Sequence, residues 1–441
     1  MDFFCPEQLL AKYQTQIAVV GATRQYRYID LAKRVHEILR TANLVKPYIV
    51  VVGEQSIDFI CRFLAIHVAK KIPIVVNRHD LVQIEQLLEK IAGYWQFMDD
   101  LNAAAITREI PPKGKRAANL LFLGMTSGTT GNSKVYQRDW ASWCHGFTAC
   151  REVFALDQYT CLATPSPLTT SLGMHTLILS LYLGKQFYLD TTVNRSKEDG
   201  NLILFTVPTM LSQQLASSLQ VTTKHFFDIA AGIVTCGGEL TQTLVTQWRA
   251  EHPTQNFYEL YGSSETSLVA WQKIVFQKQP GCVGQLFAGV QLAFKETCVQ
   301  VKSPYVFQGY LGETRQRTDF VQTDDVGCFK NERLFIWARK SEVINHGGNR
   351  LYPREIENLI AELVEEVVVF GGVPDAVYGE KVVAIVRGQN SRKKLQARLA
   401  RSLPSYKLPQ EYLFVKHIPR SLNQKISRTK LVNLYQQGEW S

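Results

Sequence analysis

The stretch Thr126-Ser-Gly-Thr-Thr-Gly-Asn-Ser-Lys134 gathers five hydroxyl residues, two glycines and a lysine into nine positions. Hydroxyls, backbone N–H groups freed by glycine, and an ammonium are the groups that wrap a phosphate. The spacing departs from the Walker pattern, GxxxxGK followed by Ser or Thr. Here Gly128 and Gly131 are three apart and Lys134 is followed by Val135. Ser/Thr/Gly clusters are also ordinary loop chemistry, so on these residues alone both readings stand. Downstream, Asn256-Phe-Tyr-Glu-Leu-Tyr-Gly-Ser-Ser-Glu-Thr266 joins a strand-like start to a turn glycine, two hydroxyls and a carboxylate. Glu265 could hold Mg2+ against nucleotide phosphates and an aromatic could stack on a base; the plainer reading of Glu265 is a solvated acid. Thr323-Asp-Asp-Val-Gly327 places Asp325 at a turn. A carboxylate there could accept both hydroxyls of a ribose, or simply close the turn. Arg339, after an aromatic-rich strand, and Lys425, in Pro419-Arg-Ser-Leu-Asn-Gln-Lys-Ile-Ser-Arg428, are singly no more than surface cations.

Such groups must be carried by strands that end in loops, and the chain supplies them. Leu120-Leu-Phe-Leu-Gly-Met125 reads as the strand before the hydroxyl-rich loop, and Asp139-Trp-Ala-Ser-Trp143 as the helix after it. Tyr48–Val52 reads as a buried strand, Ser56–Ala69 as a helix and Ile72–Val76 as the next strand. The alternation recurs with a strand over 202–207, a helix over 209–219 and a strand over 229–236. It predicts parallel α/β layers, whose ligands lie beyond the carboxyl ends of the strands. From about residue 282 shorter β-like runs follow, such as 299–304 and 334–337. After Arg339 a smaller unit is expected, with a helix over 353–363 and strands over 366–370 and 382–386. The expected fold is therefore α/β: a large N-terminal domain (1–338) of layered sheets with a β-rich subdomain, and a small α+β C-terminal domain (339–441).

Composition narrows the function classes. At 441 residues two or three domains are expected. A hydrophobic fraction of 46% with 20% charged residues belongs to a chain that buries large cores. The net charge of +10 could suit nucleic acid, a membrane surface or small polyanions. However, the basic residues are scattered, the densest run is Arg392-Lys-Lys394, and no nucleic-acid motif accompanies it. No nucleic-acid partner is expected. Nine cysteines occur with no CxxC spacing, which argues against structural zinc and for reduced thiols in a cytosol. Met1-Asp-Phe-Phe-Cys-Pro-Glu7 lacks a signal-peptide pattern, and no apolar run approaches the ~20 residues of a transmembrane segment. The expectation is a soluble, cytoplasmic protein.

Taken in order, these motifs resemble those of the adenylate-forming (AMP-binding) superfamily: acyl- and aryl-CoA synthetases, carrier-protein adenylation domains and luciferases. The resemblance spans nearly the whole chain. Thr126–Lys134 resembles the phosphate loop. Val207-Pro-Thr-Met-Leu211, Cys236-Gly-Gly-Glu239 and Tyr261-Gly-Ser-Ser-Glu265 resemble the central motifs, and Gly281-Cys-Val-Gly284 and Val301–Tyr310 continue in register. Arg339–Glu357 resembles the hinge and the loop after it, and Lys425 falls on the C-terminal catalytic lysine. The resemblance implies an acid–CoA ligase. A carboxylic acid attacks the α-phosphate of Mg-ATP, giving an acyl-adenylate and pyrophosphate, and the thiol of CoA then takes the acyl group. It implies ATP, Mg2+ and CoA as ligands. Thr126, Ser127, Gly128, Thr129, Gly131 and Lys134 would steady the leaving phosphates, with Thr130 among the catalytic residues. Glu265 would support the metal, Asp325 the ribose, and Arg339 ribose or phosphate. Gly238, Glu239, Tyr258, Tyr261, Gly262 and Ser263 would border the adenine. Lys425 would act in adenylation only, after which the small domain turns about the hinge so that Gly347 and Gly348 face the thiol channel.

The pattern is broken in places. Ala338 and Asp324 replace usual glycines, Gln424 replaces the glycine before the lysine, Val135 replaces one after the loop, and Ser341 stands at the hinge position. Thr170 stands where an aromatic or His commonly lines the acyl path, so the identity of the small carboxylic acid is not carried over. An aliphatic or fatty acid is preferred, with an aryl (succinylbenzoate-type) acid next. A carrier protein as thiol donor, and a non-catalytic nucleotide-binding relative, are the other readings the residues leave open.

Overall fold

The computed structural model describes residues 3–91, 93–99, 119–126, 134–190, 200–216, 221–313, 315–316, 318–419 and 428–438. Runs of Val, Ile and Leu become buried strands. In the six-stranded sheet Tyr48–Val52 and Ile72–Val76 pair in parallel, and Leu120–Thr126 lies beside Ile72–Val76. Ser56 starts the intervening helix Ile57–Val68 by accepting from the Phe59 N–H at 3.1 Å, a cap worth about 1 kcal/mol. The thirteen-stranded sheet has a parallel core, with Cys161–Ala163, Leu202–Thr206, Gly232–Cys236 and Asn256–Tyr261 as successive neighbours. Beyond Asn256–Tyr261 the sheet continues antiparallel through Ala270–Lys273, Cys282–Leu286, Arg333–Arg339 and Val321–Lys330. A separate five-stranded sheet is built from residues 344–415, and its hydrophobic clusters contain only residues of that region, Ile418 and the helix Arg428–Gln437.

The main core is filled by aromatics of the helix Trp140–Val153. Trp143 and Phe147 pack edge-on against His175 of the helix Ser171–Leu183, at 5.3 and 5.2 Å between ring centres. Burial among these rings pushes the His175 imidazole down to about 3, so it is neutral. None of the nine cysteines is joined in a disulfide, in line with the expected reduced thiols. No helix among the described residues is long and apolar enough to cross a membrane.

The structure corrects several expected elements. Thr126–Lys134 does not run from strand straight to helix. A second strand, Lys134–Asp139, returns antiparallel to Leu120–Thr126 with Thr126 opposite Lys134, and only then does Asp139 cap the helix. Asp325 is not at a turn but inside the strand Val321–Lys330, directly across from Arg339. The helix expected over 209–219 is Pro208–Leu215, and residues 217–219 lie outside the described residues.

Candidate active site

Three adjacent parallel strands end side by side. Leu202–Thr206 leads into Val207-Pro208, Gly232–Cys236 into Gly237-Gly238-Glu239, and Asn256–Tyr261 into Gly262-Ser263. Such a row of carboxyl ends is where open α/β sheets bind ligands. Gly237 turns with φ +76°. Gly262 is required by space, since a Cβ there would come within 1.6 Å of the Ser267 carbonyl oxygen. The tight loop it permits is organised by Ser263, whose hydroxyl accepts from the N–H groups of Glu265 and Thr266, both at 3.2 Å. Glu265 is thereby set at the loop's crown.

Asp325 meets this row from the antiparallel part of the sheet. Tyr261 Oη donates to its Oδ2 at 2.6 Å, and Arg339 Nε lies 2.9 Å from its Oδ1. Burial, then the Asp325 charge, raises the Tyr261 pKa well above the usual range, so the phenol stays protonated and donates. Burial works against the Arg339 charge, but Asp325 together with Tyr261, Glu342 and Asp324 outweighs it and the pKa is raised. Each carboxylate oxygen thus accepts one bond and keeps a second lone pair for a hydroxyl. Asp324, in place of a glycine, points to the exposed side of the strand, and Ala338 is fully buried, so neither departure disturbs this arrangement.

Glu265 is engaged on a different side. Tyr310 Oη donates to its Oε1 at 2.7 Å, and the ring of Tyr310 lies 4.8 Å from Lys134 Nζ. Thr126 Oγ1 donates to the Lys134 carbonyl at 3.4 Å, joining the two ends of segment 127–133. Ser127, Gly128, Thr129, Thr130, Gly131 and Lys425 lie outside the described residues. Tyr258 is only 5% exposed, and its ring packs on Phe154 at 5.2 Å within the core. Gly347 and Gly348 form the turn of a hairpin, at φ +56° and +77°, with Gly347 N–H donating to the Tyr378 carbonyl. The described hydrogen bonds of that hairpin do not reach Asp325 or Glu265. Thr170 has a structural task, capping the helix Ser171–Leu183 through the Gly173 N–H at 3.1 Å.

A family model described as AMP-binding enzyme matches residues 18–311, and one described as AMP-binding enzyme C-terminal domain matches residues 355–425. The chain belongs to the AMP-binding enzymes. It is 27% identical to a protein of Staphylococcus epidermidis that carries the provisional name long chain fatty acid-CoA ligase VraA, over 98% of both chains. A protein of the same provisional name from Staphylococcus haemolyticus is 30% identical over 73% of this chain and 71% of its own. The 2-succinylbenzoate–CoA ligase of Lactococcus lactis is 26% identical over 69% of each. Among solved structures, ATP-bound MatB of Rhodopseudomonas palustris superposes with a TM-score of 0.76 at 20% identity, covering 97% of this chain and 98% of its own. The o-succinylbenzoate CoA synthetase MenE of Bacillus subtilis gives 0.73 at 18%, covering 96% and 97%. These likenesses carry the fold, a large N-terminal and a small C-terminal domain.

In this AMP-binding enzyme two groups of residues join the small sheet to the site, and neither stood out in the sequence. Arg354 Nε lies 3.1 Å from Glu239 Oε2, and Asn358 donates to Glu239 Oε1 at 3.4 Å, so the helix Pro353–Ile360 sits on the Gly238-Glu239 loop. Past Arg339, the Glu342 carboxylate accepts from the Arg339 N–H at 3.2 Å. It also takes Arg428 Nη1 at 2.7 Å, while Arg428 Nη2 reaches Glu357 at 2.7 Å and its Nε donates to the Val369 carbonyl at 2.9 Å. Burial opposes the Arg428 charge, but Glu357 and Glu342 outweigh it and hold the cation. The same pairing keeps Glu342 below the usual carboxylate range despite its burial, whereas burial wins at Glu357 and raises it. A further missed residue is Arg138, fully buried, which donates to the Tyr305 carbonyl at 2.8 Å, to Ser142 Oγ at 3.2 Å and to the Ser264 carbonyl. Its charge gives no sign of burial in the sequence. The one available signal was its place between Tyr136 and the aromatic helix that follows.

Proposed function

We propose that this AMP-binding enzyme is an AMP-forming acid–CoA ligase that activates a carboxylic acid with Mg-ATP and passes the acyl group to the CoA thiol. The observation that carries the reading is the Asp325 carboxylate, fixed between Tyr261 and Arg339 with one lone pair on each oxygen to spare, beside the loop that presents Glu265. That geometry suits the two hydroxyls of a ribose, with Gly238 and Glu239 bordering the base. Glu265 Oε1 is taken by Tyr310, which leaves Oε2 for a cation. No group of three metal-ligating side chains occurs among the described residues. One carboxylate fits Mg2+, which keeps several waters and is held largely by substrate phosphates. When bound, the ion would neutralise charge on the phosphates. The chain's own part is to position the nucleotide and acid in line, and to stabilise the charge that builds on the α-phosphoryl oxygens, the role we assign to Lys425. Thr126 and Lys134, with Ser127 to Gly131 between them, would hold the leaving pyrophosphate.

A fatty or other aliphatic acid is the preferred substrate, supported by the provisional names of the relatives aligned over most of the chain. An aryl acid of the succinylbenzoate type is the second reading, supported by a relative of that name. We place the domain boundary between residues 338 and 339, since Arg339 ends a strand of the large sheet and Ile344 begins the small one. Nine cysteines without a disulfide among them support a cytoplasmic location. The test is product analysis after incubation with Mg-ATP, a panel of fatty and aromatic acids, and either free CoA or a pantetheine-bearing carrier protein. Acyl-CoA with AMP and pyrophosphate is expected. ADP and phosphate, or acylation of the carrier protein alone, would refute the assignment.

A further inference from the structure

Glu265 is held at its backbone and at its carboxylate by different residues. The backbone is pinned from two directions: the Phe307 N–H donates to the Glu265 carbonyl at 2.8 Å, and buried Arg138 grips the preceding Ser264 carbonyl. The carboxylate is held by Tyr310 alone among the described residues, at 2.7 Å to Oε1. Tyr310 belongs to the short strand Gly309–Tyr310, which pairs antiparallel with Lys134–Asp139 so that Tyr310 lies opposite Tyr136. Its ring is fixed edge-on to Phe307, 5.2 Å between centres, and lies against Lys134 Nζ. The hydroxyl is thus locked by a sheet register that also fixes Lys134, and it occupies one carboxylate oxygen while leaving the other.

We propose that Tyr310 is a positioning residue that aims Glu265 Oε2 at the divalent cation of Mg-ATP. The inference rests on the nucleotide-site reading above. Carboxylates that ligate metals are themselves oriented by hydrogen bonds from outer residues, and losing such a bond lowers metal affinity by about 10–100-fold. Tyr310→Phe removes one oxygen and keeps the ring contacts with Phe307 and Lys134. The backbone of Glu265 stays pinned by Phe307 and Arg138, so the substitution changes only the freedom of the carboxylate.

The experiment is a Mn2+ titration followed by electron paramagnetic resonance, on the full chain with a non-hydrolysable ATP analogue, comparing wild type, Tyr310→Phe, Glu265→Gln and the double variant. Tyr310→Phe should weaken Mn2+ binding to the protein–nucleotide complex about tenfold or more. The affinity for metal-free nucleotide and the melting temperature should stay near wild type. In the Glu265→Gln background the Tyr310→Phe change should have no further effect, because its action runs through that carboxylate. Unchanged Mn2+ affinity in Tyr310→Phe, or an equal additional loss in the Glu265→Gln background, overturns the role of Tyr310 while leaving the site intact. If Glu265→Gln itself binds Mn2+ as wild type does, the placement of the metal at Glu265 falls, and the inference with it.

Discussion

Replacing Arg428 by Met tests how the segment after Arg339 is held together. The guanidinium is the shared partner of two largely buried carboxylates, with side-chain exposures of 15% for Arg428, 18% for Glu342 and 13% for Glu357. Breaking such an arrangement strands buried charge, an effect of about 3–5 kcal/mol. The residual exposure argues for the lower end, about 3 kcal/mol. With a urea dependence of about 1–3 kcal/mol per molar, the unfolding midpoint should fall by about 1 M or more. The sign of the pH dependence follows from the carboxylates. In the wild type the lowered Glu342 contributes stability that is present above its unfolded pKa and is lost as the pH falls through its folded value. In the variant the strongest of the groups holding that pKa down is gone and only Arg354 and the Arg339 N–H remain, so the gap between variant and wild type should narrow as the medium is acidified below the ordinary glutamate range. Adding Glu357→Leu to Arg428→Met should recover part of the loss, since one stranded charge is gone. Equilibrium urea denaturation at several pH values measures all three effects. A loss under about 1 kcal/mol, or a gap that widens in acid, would refute the reasoning.

Other perturbations probe the remaining parts. Asp325→Asn keeps the size of the side chain but loses its charge, and hydrogen bonds to charged groups are worth about 1.5–3 kcal/mol. ATP affinity by calorimetry should therefore drop about tenfold or more, and a change under about threefold would count against ribose binding there. His67 and His175 are both pushed down to about 3, first by burial, and must charge on unfolding. Their contribution is complete above the unfolded value near 6.5 and is lost progressively as the pH falls towards 3. Each adds a slope of up to about 1.4 kcal/mol per pH unit, and His175→Leu should remove one of the two. Arg354→Ala should change stability by no more than about 1 kcal/mol, as the ion pair with Glu239 is partly exposed. It should nonetheless speed tryptic cleavage after Arg339 or Lys340 several-fold by releasing the small sheet from the Gly238-Glu239 loop; unaltered cleavage would show that this clasp does not hold the two units.

Local chemistry explains which parts could be read in advance. Tyr48–Val52 and Ile72–Val76 are apolar strands whose bounds follow from their own residues, and Ser56 marks the helix between them. Tyr261, Asp325 and Arg339 were visible as candidate site residues, and the structure brings them together. The turn reading of Asp325 failed because paired aspartates near Gly327 favour turns locally, whereas pairing with Arg333–Arg339 extends the strand through them. The strand Lys134–Asp139 was hidden by its polar residues. Arg138 could not be read as buried, because the carbonyls that satisfy it belong to residues 126 and 167 positions further along the chain. Tyr310 and Arg428 lie in recognisable motifs, but their partners are 45, 71 and 86 positions away and emerge only in the fold.

The central claim is that the chain splits ATP at the α-phosphate with a carboxylate as nucleophile. Exchange of labelled pyrophosphate into ATP, measured with and without each member of a panel of fatty and aromatic acids, tests it most directly. The account predicts exchange that requires an added acid and Mg2+, needs no CoA, and is abolished in Lys425→Ala. Exchange that ignores the acid, or its absence with every acid while ATP still binds, would contradict it.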